Sequence, residues 1–300
     1  MAALAWALRH PVNARARAWA LGRWCIHQVR KRWRPNDPVE VRVGPARLVG
    51  PPWHPSICLA RYVRGGLADL DAFLAYAALL APGGMFVDVG AAIGLHSVFA
   101  AYLVGCAGEV VACEPDPSAR PWLRRNLEHC GTAWRLEPRP LADRVRNLAW
   151  CQAAPALSHL SFAPEELAAG VEATTLDELI ALPRPRGAVV KIDVEGWEPA
   201  VLLGGREALQ GGGVRAIWIE AIGLQWRCDV RWAGAVELCH CSGMRFYVVD
   251  VRERAVRHVP RPGMRSPTGS YLVTDAGSAE AVAHAVARWP EVIEPWLRER

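Results

Sequence analysis

The stretch Met85-Phe-Val-Asp-Val-Gly-Ala-Ala-Ile-Gly94 constrains the architecture of this chain more tightly than any other. Met85 to Val89 is an apolar run rich in strand formers and too short for a helix. Gly90 and Gly94 bracket a tight loop, where glycine permits positive φ and lets a ligand approach the main chain. Leu95 to Val104 follows without Pro or Gly, which predicts a helix beginning near Gly94. A buried strand that feeds a helix through such a turn is the first unit of an open α/β sheet.

The turn also predicts a ligand. The first N–H groups of the helix point back at the loop and attract negative charge such as a carboxylate. Asp88, at the end of the strand, is placed to accept from an ammonium. A molecule carrying both groups fits both ends, as the methionine part of S-adenosylmethionine does. A dinucleotide site prefers Gly-x-Gly-x-x-Gly, because its pyrophosphate lies on the turn. Here Ala92 stands where the middle glycine would be, so a ligand without pyrophosphate is expected and a dehydrogenase is disfavoured.

A second strand, Glu109 to Cys113, ends in Glu114-Pro115-Asp116-Pro117. Glu114 follows Gly94 at the distance where a βαβ unit delivers an acid to ribose hydroxyls. Asp116-Pro117 reads as a helix start, with proline at the first helical position. Gly187 to Asp193 forms a further strand, whose alternation puts Val189, Lys191 and Asp193 on one face. An apolar strand tolerates a Lys only if it is paired. Lys occurs only at positions 31 and 191, whereas Arg supplies the rest of the basic charge. Lys191 therefore reads as a site that needs a compact ammonium, either for chemistry or for a structural pair with Asp193.

Phe86-Val-Asp-Val-Gly-Ala-Ala-Ile-Gly94, Cys113-Glu-Pro-Asp-Pro117, Thr175-Leu-Asp-Glu-Leu179 and Lys191-Ile-Asp-Val-Glu-Gly-Trp-Glu198 together resemble the successive motifs of FkbM-type methyltransferases, over roughly residues 80–222. The resemblance implies a Rossmann-like class I methyltransferase fold, S-adenosylmethionine as cofactor, and O-methylation of a sugar, glycan or polyketide-type hydroxyl. It further implies that Asp88, Gly90 and Gly94 hold the methionine part, with Ala92 in the same cofactor-binding loop, that Glu114 holds the ribose, and that Asp143 lies near the adenine. Asp193 and Glu195 would face the transferring methyl, beside Lys191. The family usually has Asn where this chain has Ala92, which removes one polar contact near the cofactor.

A hydroxyl acceptor loses its proton during attack, so Asp193 or Glu195 is the candidate general base. The alternative is an oxygen-ligand divalent metal held by Asp193, Glu195 and Glu220, and it is not the favoured reading. His96, in the first turn of the glycine-loop helix, is a candidate cofactor contact, with packing or capping as the competing role. Cys239-His240-Cys241 with Cys228 is poorly spaced for zinc. The nine Cys are scattered, which suits reduced thiols.

The net charge of +5 divides unevenly. Residues 1–34 hold eight basic residues and no acid, whereas the remainder nets −3. Segment 14–34 interleaves Trp19, Leu21, Trp24, Ile26 and Val29 with Arg, which predicts a basic helix that packs on the core or rests on a membrane surface. A nucleic-acid methyltransferase that uses this segment on RNA is the alternative function, and a retired binding protein is the third; nucleic acid is not the expected partner. The apolar start is short and precedes its charge, unlike a signal peptide, and no uncharged apolar run reaches the roughly 18 residues that span a bilayer. A cytoplasmic protein, peripheral at most, is expected.

Punctuation gives the organisation: a basic Trp/Arg-rich segment 1–38, lead-in strands and a helix over 39–81, a cofactor-binding core 82–275, and a helical close 276–300. Helices are predicted over 67–80 and 197–210, and strands over 214–220, 244–250 and 269–274. The alternation predicts a doubly wound, mostly parallel sheet with helices on both faces. Acceptor-reading loops are expected at 144–172 and 221–232, with Arg144, Arg146, His159 and Arg227 as candidates.

Overall fold

The computed structural model describes residues 2–152, 158–161, 170–180, 186–221, 231–263 and 269–298. Two helices, α1 (Ala2–Arg9) and α2 (Arg17–Trp33), precede a hairpin of β1 (Val39–Val43) and β2 (Ala46–Gly50). The lead-in segment was read as short strands ahead of one helix, yet α3 (Pro55–Tyr62) is a further helix. Pro55 opens its first turn and the His54 side chain accepts from Ser56 N at 3.3 Å, a capped start that a run of short apolar pieces conceals.

The core then alternates. α4 (Leu70–Leu79) leads into β3 (Met85–Val89), α5 (Leu95–Val104), β4 (Glu109–Cys113), α6 (Arg120–Glu128) and β5 (Ala133–Glu137). Helix α6 begins later than Asp116-Pro117 suggested. Asp116 Oδ1 accepts from Ser118 N at 2.8 Å and closes a turn, and Pro121 takes the first-turn position. Next come β6 (Arg146–Gln152), β7 (Ser158–Ser161) and β8 (Gly170–Ala173), a small antiparallel sheet where an acceptor loop was expected.

After α7 (Leu176–Leu179), capped by Thr175, the chain forms β9 (Ala188–Ile192), α8 (Glu198–Leu203), α9 (Arg206–Gln210) and β10 (Val214–Glu220). The helix expected over 197–210 is split at Gly204-Gly205. A Cβ on Gly204 would sit 2.0 Å from the Ala142 carbonyl oxygen, so backbone meets backbone there. The remaining elements are α10 (Arg231–Cys241), β11 (Arg245–Asp250), β12 (Ala255–His258), β13 (Ser270–Thr274), α11 (Ala276–Ala287) and α12 (Trp289–Leu297).

Eight strands form the central sheet in the order β12-β11-β13-β10-β9-β3-β4-β5. The five strands from β10 to β5 are parallel, and β13 enters antiparallel against β10. The winding reverses between β3 and β9, and in such sheets the crevice at the carboxyl ends of the strands at that point takes the ligand. Alternation along the strands divides the interior into two cores. Phe86, Val189 and Trp218 pack with Phe73, Tyr76 and Phe99 on one face. Val87, Ile192 and Ile217 pack with Leu176, Trp197 and Val201 on the other.

The N-terminal helices are tied to this body. His10 Nε2 lies 3.1 Å from Ala68 O, and Asn13 Nδ2 donates to Ala7 O and Tyr62 O at 2.9 and 2.8 Å. Among the described residues no helix is long and apolar enough to cross a membrane.

Candidate functional site

The glycine loop is fixed by its neighbours on both sides. Gly90 has φ 79°, and a Cβ there would meet Asp193 O at 1.9 Å, so the loop after β3 lies directly on the loop after β9. Gly94 caps α5 from the left-handed region. Ala92 N donates to Glu114 Oε2 and Asp116 N to Glu114 Oε1, each at 2.7 Å. Glu114 thus ties the loop to the end of β4. Burial pushes its carboxyl up to about 7, against the pull of the two amides. Ala92 itself has φ 49°, a conformation that Asn and Gly adopt more readily than Ala.

Beneath the loop sits Lys191. Its ammonium donates to Gly90 O at 2.7 Å and lies 3.5 Å from Asp88 Oδ1 and 3.3 Å from Asp193 Oδ2. Burial opposes the charge, but Asp193, Asp88 and Glu220 outweigh it and hold the ammonium above its usual range. Lys191 is therefore a fixed cation that orders the two loops and cannot serve as a base. Asp88 is fully buried and accepts from Ser97 Oγ at 2.6 Å through Oδ2. Its Oδ1 makes no hydrogen bond.

Past β9 the chain turns through Glu195, which has φ 54°. Glu198 holds this turn: its Oε1 accepts from Val194 N at 3.0 Å and Gly196 N at 3.1 Å. Burial raises the Glu198 carboxyl to about 8, against the pull of the Val194 and Gly196 amides, and its Oε2 makes no hydrogen bond. Asp143 pairs with Arg146 at 2.7 Å, and the Arg146 guanidinium lies 5.9 Å over the Trp197 ring.

Glu220, at the end of β10, completes the cluster. It neighbours Asp193, and burial together with the charges of Asp193 and Asp69 pushes it up to about 10. Glu220 also lines a cavity of about 420 Å³ walled by Asp69, His96, Trp218, Trp6 and His10. His96 is held on both nitrogens, 3.3 Å from Asp69 Oδ2 and 3.1 Å from Tyr76 Oη. It lines this cavity, fixed there by Asp69 and Tyr76.

The fold brings Asp88, Lys191, Asp193 and Glu220 together on one face of the sheet, with the glycine loop and Glu114 above. Sequence reasoning passed over Ser97, Asp69, Tyr76 and Glu198. Only Glu198 carried a signal, as the closing residue of the Lys191–Glu198 motif. Among the described residues, no three His, Cys, Asp or Glu side chains are grouped to hold a metal ion. Cys239 is buried and Cys241 exposed on α10, whereas Arg227 and Cys228 lie outside the described residues, as does the side chain of His159.

The residues fit an S-adenosylmethionine ligand. Asp88 Oδ1, which makes an ion pair with Lys191 but no hydrogen bond, the Glu114 carboxyl and the close backbone at Gly90 lie around one loop.

Residues 88–227 match the model of the methyltransferase FkbM domain. No curated protein matches the chain. Solved structures similar to it include a precorrin-6y C5,15-methyltransferase from Geobacter metallireducens (16% identity, 69% of this chain and 87% of that one, TM-score 0.36). Others are an rRNA methylase from Streptococcus thermophilus (15%, 69% and 93%, TM-score 0.36) and a putative O-methyltransferase from Klebsiella pneumoniae (15%, 70% and 81%, TM-score 0.34).

Proposed function

We propose that this chain, which carries a methyltransferase FkbM domain over residues 88–227, methylates a hydroxyl of a small sugar, glycan or polyketide-like acceptor. Its doubly wound sheet is a Rossmann-like class I methyltransferase fold, and S-adenosylmethionine is the cofactor such a domain implies. When bound, that cofactor supplies a methyl already activated on a sulfonium. The protein's own work is then alignment and proton removal.

The observation that carries the reading is the Lys191–Asp193–Glu220 cluster, which links the glycine loop to the acid-lined cavity. Asp88, Gly90 and Gly94 would hold the methionine part, Glu114 the ribose, and Asp143 the adenine side. Asp193 is the base: its side chain is 31% exposed, while Lys191 fixes its position. Glu220 lies beside Asp193, and burial raises its carboxyl, which favours holding a proton next to the base. Asp69, Asp71 and Asp250 on the cavity wall outnumber its Arg252 and disfavour phosphates, and with Glu220 they offer acceptors to hydroxyl donors, which favours a polyhydroxylated acceptor over nucleic acid.

The test is calorimetric titration with S-adenosylmethionine of the wild type, Asp88→Ala and Glu114→Ala. Methyl transfer to hydroxylated sugars by the wild type and Asp193→Asn follows. Binding lost in the first two variants, and turnover lost with binding kept in Asp193→Asn, is the expected pattern. A folded wild type that binds no S-adenosylmethionine would sink the proposal.

A further inference from the structure

Helix α2 presents two unlike faces. Its inner face packs on α3: Ala20 and His27 are buried, His27 meets the Tyr62 ring edge-on, and Gln28 Nε2 donates to Tyr62 Oη at 3.0 Å. Its outer face carries Trp19, Ile26, Val29 and Trp33, which are 40, 60, 59 and 78% exposed. At helical spacing these four fall within an arc of about 80°. Arg23 and Arg30 border the stripe on one side and Arg32 on the other, and the Arg23 guanidinium lies 5.5 Å over the Trp19 ring.

Four large apolar side chains form a continuous stripe, ending in Trp at both ends, that the other described residues leave exposed. Charge narrows the choice of occupant. Residues 1–34 carry eight Lys and Arg and no acid, so a second copy laid on this face would set like charges against one another. An anionic bilayer satisfies both features, because its headgroup region takes Trp rings and apolar side chains while its phosphates take the flanking Arg.

We propose that α2 docks in the plane of an anionic membrane surface. Trp19, Ile26, Val29 and Trp33 enter the headgroup–acyl boundary, and Arg23, Arg30 and Arg32 meet lipid phosphates. The proposal stands on the α2 face alone and does not depend on the acceptor or on catalysis.

The test is co-sedimentation of the full chain with vesicles of phosphatidylglycerol and phosphatidylcholine, and with phosphatidylcholine alone. The wild type should partition onto the anionic vesicles, and added salt should weaken this. Ile26→Glu/Trp33→Glu should bind at least roughly tenfold less, with circular dichroism and S-adenosylmethionine calorimetry unchanged. Arg30→Gln/Arg32→Gln leaves the stripe intact and should lower binding severalfold, which covers the case in which the first variant fails to fold. Three results would each overturn the proposal. One is failure of the wild type to bind anionic vesicles at low salt. Another is sedimentation of a dimer that Ile26→Glu/Trp33→Glu dissolves, since a second copy would then cover the stripe. The last is retention on RNA without any on vesicles. Loss of S-adenosylmethionine binding in every form of the protein would count against the methyltransferase reading alone.

Discussion

Asp88 and Lys191 are register partners on neighbouring parallel strands, β3 and β9, and their carboxylate and ammonium meet 3.5 Å apart with almost no exposure to solvent. The pair lies at the switch point of the sheet and under the glycine loop, where the ammonium also holds the Gly90 carbonyl. The ion pair, the loop and Asp193 therefore form one mechanical unit.

Removing one member should be costly. Lys191→Met leaves Asp88 buried without its cation, and the expected loss is about 3 kcal/mol in urea unfolding. Asp88→Asn combined with Lys191→Met should recover part of it, because the stranded charge is then gone. Equal stability of the single and double variants would show that the pair is not coupled.

Glu198 makes stability depend on pH. Its folded value of about 8 lies above that of the unfolded chain, so the folded state binds the proton more tightly. The contribution is complete below the unfolded value and is lost as pH rises through about 8. Glu198 should contribute a fall of about 1 kcal/mol per pH unit between roughly 5 and 8, with Glu114 adding to the slope up to about 7 and Glu220 adding to it across the whole range. Glu198→Gln should flatten the profile measured by urea midpoints at each pH.

Glu114 should couple cofactor affinity to pH. A carboxylate accepts from ribose hydroxyls, whereas the protonated acid has lost part of that capacity. With Glu114 near 7, S-adenosylmethionine should bind on the order of tenfold more tightly at pH 8 than at pH 6. Calorimetry on Glu114→Gln should show weak binding without that dependence.

Ala92 occupies a left-handed conformation without the means to favour it. Ala92→Gly should raise stability by about 1 kcal/mol, read as a higher urea midpoint. Ala92→Asn tolerates the same φ and should also raise affinity for S-adenosylmethionine. No gain from either substitution would mean that the Ala92–Glu114 hydrogen bond already offsets the strain.

Asp193→Asn should lower kcat by about a hundredfold or more while leaving S-adenosylmethionine affinity nearly intact. Glu220→Gln keeps a hydrogen-bond donor toward Asp193 and should retain most activity. Steady-state kinetics on an accepted sugar separates the two. Equal losses would move the role of base from Asp193 to the pair as a whole.

The sequence by itself determined what is local. Met85–Val89, the glycine turn and the Leu95–Val104 helix are set by consecutive residues, and the structure places strand and helix at those bounds. The same holds for the strand carrying Lys191 and for its need of a carboxylate partner, since alternation alone puts Asp193 beside it. Only the tertiary structure decided which other acids meet there. Asp88 reaches Lys191 through strand register, and Glu220 reaches Asp193 because β10 lies next to β9. The helix at 55–62 and the division at Gly204-Gly205 were hidden because a cap and a backbone approach leave little trace in hydrophobic period. The destination of His96 was equally hidden, since α4 supplies both of its partners, Tyr76 from within the helix and Asp69 at its N-cap. Periodicity reports which face of an element is buried. What stands across from that face, and therefore which charges meet, is settled only when the strands and helices pack.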